Sequence, residues 1–176
     1  MTKLVNGYKE AQLSIDELPI YGASVMGQAL RQTFDRFQRE MRRPQNKGLR
    51  PVLLVVSDGE VIDQVDPLPI AEHLKKLGVI VICCFLTNKD LRRPWLLRRR
   101  PWWFWPRDAK LMFSMASSVD DWLEFGEHLK ESRFVIKKHA KLFVQINHSE
   151  YLENFIDAVL HPLEKEYQSI KTQANN

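Results

Sequence analysis

The stretch that most constrains this chain is Pro51–Glu60, PVLLVVSDGE. Its unbroken apolar run, Val52 to Val56, is rich in β-branched residues. It is too short for a globular helix and too continuous for a half-exposed strand. Such a run reads as a strand buried on both faces, the habit of parallel sheets in α/β proteins. Ser57, Asp58, Gly59 and Glu60 follow at once. Ligands of open α/β sheets sit at the carboxyl ends of the strands. A carboxylate placed there, ahead of a glycine that lets the backbone turn, makes Asp58 a site candidate.

The flanking segments alternate around this strand. Upstream, Met26, Leu30, Phe34, Phe37 and Met41 recur at helical spacing, with Ser24 as a natural N-cap and Pro44 with the NKG turn as the stop. Downstream, Asp66 before Pro67 starts a second helix with the stripe Ile70, Leu74 and Leu77, and Gly78 ends it. Val79–Leu86 is a second fully apolar run. Helix, buried strand, helix, buried strand is the pattern of a right-handed crossover in a parallel sheet. Ala109–Ala116 and Trp122–Glu131 read as helices and Leu142–Ile146 as a third strand. A last helix begins near Asn147–Ser149, with Leu152, Phe155, Ile156, Val159, Leu160 and Leu163 on one face. The expected fold is therefore α/β in three layers: a Rossmann-like parallel sheet with helices on both faces. Residues 1–20 form a lead-in, 21–163 the α/β domain with an insertion at 90–108, and 164–176 a frayed polar tail.

With 176 residues and 44% hydrophobic content the chain can build one real core. No apolar run approaches the roughly 18 residues of a membrane span. The N-terminus lacks the apolar core of a signal peptide. Cys83 and Cys84 are neighbours in a strand, so they point to opposite faces and suit a bridge poorly. Two buried, reduced thiols fit a cytoplasmic protein.

The second unusual stretch is Leu91–Arg107, LRRPWLLRRRPWWFWPR, which holds four of the five tryptophans. Residues 90–108 carry six arginines against two aspartates, which accounts for the whole net charge of +4. Pro94, Pro101 and Pro106 forbid a regular helix or central strand there. A long loop after a strand often carries function. In one reading its tryptophans fold back over the sheet with arginines stacked on them. In another, Arg98, Arg99, Arg100, Trp102, Trp103 and Trp105 bind a partner: a protein first, then an anionic lipid surface or nucleic acid.

Read together, Leu18–Leu30 (LPIYGASVMGQAL), the helix after it, Arg50–Glu60 and Asp63 resemble the second half of a von Willebrand factor A domain. The similarity covers about residues 15–90 and is greatest to the bacterial intracellular kind associated with tellurite-resistance proteins. That family carries a metal-ion-dependent adhesion site in three loops. By resemblance Ser24 stands at the hydroxyl of the second loop and Asp58 at the carboxylate of the third. The first loop, Asp-x-Ser-x-Ser, occurs nowhere in this chain. The resemblance thus implies a truncated domain whose opening strands would lie upstream of residue 1. It further implies Mg²⁺ or Mn²⁺ held only weakly by Ser24 and Asp58, and an apolar strand edge at 52–57 open to a protein partner or a homodimer.

The function these features imply is a non-enzymatic protein–protein interaction module. A rival reading is a metal-assisted hydrolase with Asp58, Glu60, Asp63 and His148 at one rim; a third is a membrane or nucleic-acid binder acting through the Trp/Arg segment. The other histidines, His73, His128, His139 and His161, show no metal-ligand spacing. No Gly-x-Ser-x-Gly elbow or glycine-rich phosphate loop occurs.

Overall fold

The computed structural model describes residues 25–61, 64–91, 93, 95–132 and 134–174, with side chains as far as Glu164. In chain order the elements are α1 (Met26–Glu40), β1 (Val52–Ser57), α2 (Pro67–Lys76), β2 (Ile80–Leu86), β3 (Leu96–Leu97), α3 (Arg107–Met115), α4 (Leu123–Glu131), β4 (Val135–Ile136), β5 (Phe143–Ile146) and α5 (Ser149–Ala174). The main sheet has the order β1-β2-β5 and is parallel throughout. Parallel strands need a crossover, and α2 supplies the one between β1 and β2.

Side chains alternate across this sheet with the period of two that a strand imposes. Ile80, Ile82 and Cys84 point into a core with Phe125, Leu129 and Phe155 of α4 and α5. Val81, Cys83 and Phe85 point into a second core with Met26, Leu30, Ala71, Leu74, Met112 and Phe113 of α1, α2 and α3. Two cores, one on each face, make the expected three layers. Each fully buried Leu, Met or Phe stabilises the fold by about 1.5–3 kcal/mol. The two cysteines lie on opposite faces, both buried and unbridged.

Local sequence sets most element boundaries. Asp66 caps α2 by accepting a hydrogen bond from the Leu68 N–H at 3.0 Å, with Pro67 at the first helical position. Gly78 follows α2 at φ 91°, a left-handed conformation in which a helix commonly ends. Ser118 and Asp121 form a capping box around the 3₁₀ turn Val119–Asp121. A clip of hydrogen bonds joins this turn to the amino ends of β2 and β5. The Ser117 hydroxyl accepts from the Val81 N–H at 3.0 Å, and the Ser117 carbonyl accepts from the Leu142 N–H at 2.8 Å.

Several expectations are corrected. The capping position of α1 is Val25, with no side-chain cap, and Ser24 lies outside the described residues. β1 is not buried on both faces: it is half-buried along its length and Val56 is 40% exposed. The reason is its place as an outer strand of the described sheet. The stretch after Glu164 continues α5 to Ala174, past Pro162 inside the helix. The pair β3–β4, parallel and two residues long, had no sequence signal.

Candidate functional site

At the carboxyl end of β1 the SDGE segment closes a tight turn on its own side chains. The Gly59 N–H donates to the Ser57 hydroxyl at 3.0 Å, and the Glu60 N–H donates to Asp58 Oδ1 at 3.2 Å. Asp58 and Glu60 are exposed, while Gly59 is buried at φ 80°. A Cβ on Gly59 would lie 2.8 Å from Asp108 Cβ and 3.1 Å from the Phe85 ring. The glycine therefore serves both the left-handed turn and the close approach of the first turn of α3.

Asp58 and Glu60 follow β1 and His148 follows β5, at the same edge of the parallel sheet. His148 follows β5, with its ring edge-on to Tyr151 at 5.9 Å. β1 and β5 are separated by β2 in the sheet order. Ser24 and Asp63 lie outside the described residues. Among the described residues no three His, Cys, Asp or Glu side chains form a group that could hold a metal ion. Of the two residues that the resemblance would give to Mg²⁺ or Mn²⁺, only Asp58 lies among the described residues.

The Trp/Arg segment is more fully built. It enters from the end of β2, and Trp95 packs edge-on against Phe134 and Tyr151 at 5.0 and 4.9 Å. Leu97 is buried in the core beneath α4 and α5, and β3 lies beside β4 and β5. The Lys141 N–H donates to the Arg98 carbonyl at 2.8 Å. The chain then crosses to the other face of the sheet. There Trp105 packs against Phe113 and Phe143 at 5.8 and 5.2 Å. The segment straps the β5 side of the sheet, and its far end leads into α3, whose Asp108 lies against Gly59 of the SDGE turn.

Between these anchors a β-turn stands out from the surface. The Trp105 N–H donates to the Trp102 carbonyl at 3.1 Å, which places Trp103 and Phe104 at the two central positions. Pro101 and Pro106 bracket the turn. Lys110 Nζ donates to the Trp103 carbonyl at 2.6 Å, tying the apex to α3. Trp103 is 86% exposed, Phe104 54% and Trp102 40%. Trp102 and Trp103 each pack against Phe104, at 4.6 and 5.6 Å between centroids. The Arg98 guanidinium lies 4.0 Å from the Trp102 ring centroid, a cation–π contact. Burial, and after it the like charge of Arg93, holds the Arg98 pKa below its ordinary value. Arg99, Arg100 and Arg107 are exposed, and none pairs with a carboxylate among the described residues.

The reading in which the tryptophans fold back over the sheet thus holds in part. Trp95 and Trp105 fold back onto the two cores, whereas Trp102, Trp103 and Phe104 face solvent. Of the expected partner-binding residues, Trp105 packs against the core of α1, α2 and α3. Phe104 and Lys110, outside the expected partner-binding set, also belong to this turn and its brace. Phe104 was legible from the WWFW run; Lys110 sits a helical turn away and carried no signal. No protein-family model, curated protein or solved structure matches this chain.

Proposed function

We propose that this chain is a non-enzymatic interaction module: an α/β scaffold that holds the Trp102–Trp105 turn rigidly for docking. One observation carries the reading. Trp103 and Phe104 are exposed at the apex of a turn braced by two prolines, Lys110 and the buried side of Trp105. Scattered exposed apolar residues are ordinary, but a contiguous aromatic apex on a braced base marks a contact surface.

Photo-crosslinking in cells tests it. A benzophenone amino acid at position 103 is expected to give discrete adducts, to protein or lipid. The same residue at Leu123, which is 66% exposed on α4, should give few. Equal labelling at the two positions, or none at 103, would overturn the reading.

A second form of the reading follows from the von Willebrand factor A resemblance: a protein partner captured through Mg²⁺ or Mn²⁺ at Ser24 and Asp58. What favours it is the exposed Asp58 carboxylate at the carboxyl end of β1. In that form the ion binds weakly, since hard cations take oxygen ligands and can keep several waters. Mn²⁺ binding followed by EPR, lost in Asp58→Ala, supports it; no binding to the wild-type chain ends it.

A further inference from the structure

We propose that the Trp102–Trp105 turn docks on an anionic lipid bilayer, with Trp103 and Phe104 at headgroup depth and Arg99, Arg100 and Arg107 against lipid phosphates. This rests on the reading of the chain as an interaction module and names its partner.

Three features point to a bilayer. The apex is convex. An interfacial segment needs an aromatic tip that reaches out, because amphipathic rings such as tryptophan settle at the membrane–water boundary. Trp103, at 86% exposure, is such a tip. Next, the charge collar is uncompensated. From Arg98 to Lys110 the chain carries five cations and one carboxylate, Asp108. Arg93 adds like charge beside Arg98, whose pKa is lowered first by burial and then by that charge. An anionic surface relieves that crowding at about 1 kcal/mol per basic residue, or about 5-fold in affinity each.

The third feature separates lipid from nucleic acid. Base stacking needs flat ring faces open to the bases. Here Arg98 lies over Trp102, and Trp102 and Trp103 each pack against Phe104, Trp103 nearly perpendicular to it at 89°. Such a wedge displaces lipid headgroups better than it sandwiches bases. A protein partner would have to offer a pocket for the apex; a bilayer needs none.

The test is flotation of the full chain with phosphatidylcholine vesicles, with and without about one third phosphatidylserine. Binding is expected only to the anionic vesicles and should fall steeply with salt. Arg99→Ala with Arg100→Ala should weaken it by about 25–30-fold. Trp103→Ala with Phe104→Ala should abolish it while the far-UV CD and the urea midpoint stay unchanged. Equal binding to neutral vesicles would overturn the proposal, as would binding that survives the aromatic double variant. Vesicles left unbound while position 103 crosslinks to one protein would overturn the lipid partner and leave the interaction module standing. Binding to poly(U) but not to vesicles would replace lipid with nucleic acid. No vesicle binding and no crosslinks would end both readings.

Discussion

The ring of Trp105 lies 5.2 Å from that of Phe143, tilted by 42°, and this contact fastens the Trp/Arg segment to β5. Two residues earlier in the chain, Trp103 stands in solvent. Neighbouring tryptophans in one run therefore carry opposite duties, one as anchor and one as tip. Stability measurements can separate them. Trp105→Ala removes a half-buried ring from a packed core and should cost about 2–3 kcal/mol, somewhat less than a fully buried tryptophan. Trp103→Ala should stay within about 0.5 kcal/mol of wild type. Urea unfolding midpoints at constant m-value are the readout; similar losses in both variants would mean that the tip also supports the core.

Gly59→Ala should destabilise the fold by about 1–3 kcal/mol. The new methyl would meet Asp108 Cβ at 2.8 Å, and alanine disfavours φ 80°. The SDGE turn and the first turn of α3 would have to separate, which the NMR shifts of Glu60 and Asp108 should report. A wild-type midpoint would show that the turn is not held as described.

Cys83 and Cys84 should be inert in the folded protein. Burial pushes the Cys83 thiol up to about 12, against a smaller lowering by Lys75 and Lys141. Cys84 is raised as well, again by burial first and then by Cys83. The thiolate is the reactive form, so a thiol reagent at pH 8 should titrate neither residue until denaturant is added. Prompt native-state reaction would show that the sheet centre opens locally.

The Asp120–His139 pair should make stability pH-dependent on the acid side. His139 Nδ1 lies 2.6 Å from Asp120 Oδ2, and this hydrogen bond, more than the one from Ser118, holds the Asp120 carboxyl below its ordinary 3.8. A depressed folded-state pKa stabilises above the unfolded value, and the contribution is lost as pH falls through the folded one. Asp120→Asn should therefore lower the thermal midpoint at pH 6, with the difference shrinking as pH falls below 3.8 through the lowered folded-state value. Because both groups are exposed, the difference should be small and shrink with salt. Parallel curves from pH 6 to 2 would remove Asp120 as the cause.

Much of the fold was legible from local pattern. The apolar runs at 52–56 and 79–86, the Asp66–Pro67 start and the Gly78 stop describe a β–α–β unit, because each is a constraint on nearby backbone. The opposite facing of Cys83 and Cys84 follows from strand period alone. The half-burial of β1 was not legible in the run itself. A continuous apolar run fits a central strand, and only the order of the described strands puts this one at an outer position.

Composition and spacing by themselves determined the layer architecture, the helix starts and the aromatic–basic character of residues 90–108, since these depend on near neighbours in the chain. Tertiary structure alone decided which tryptophans are anchors and which are exposed. It also brought Lys110 to the Trp103 carbonyl. The physical reason is that burial is settled by what packs against a ring. For Trp105 that is Phe143, 38 positions further along the chain.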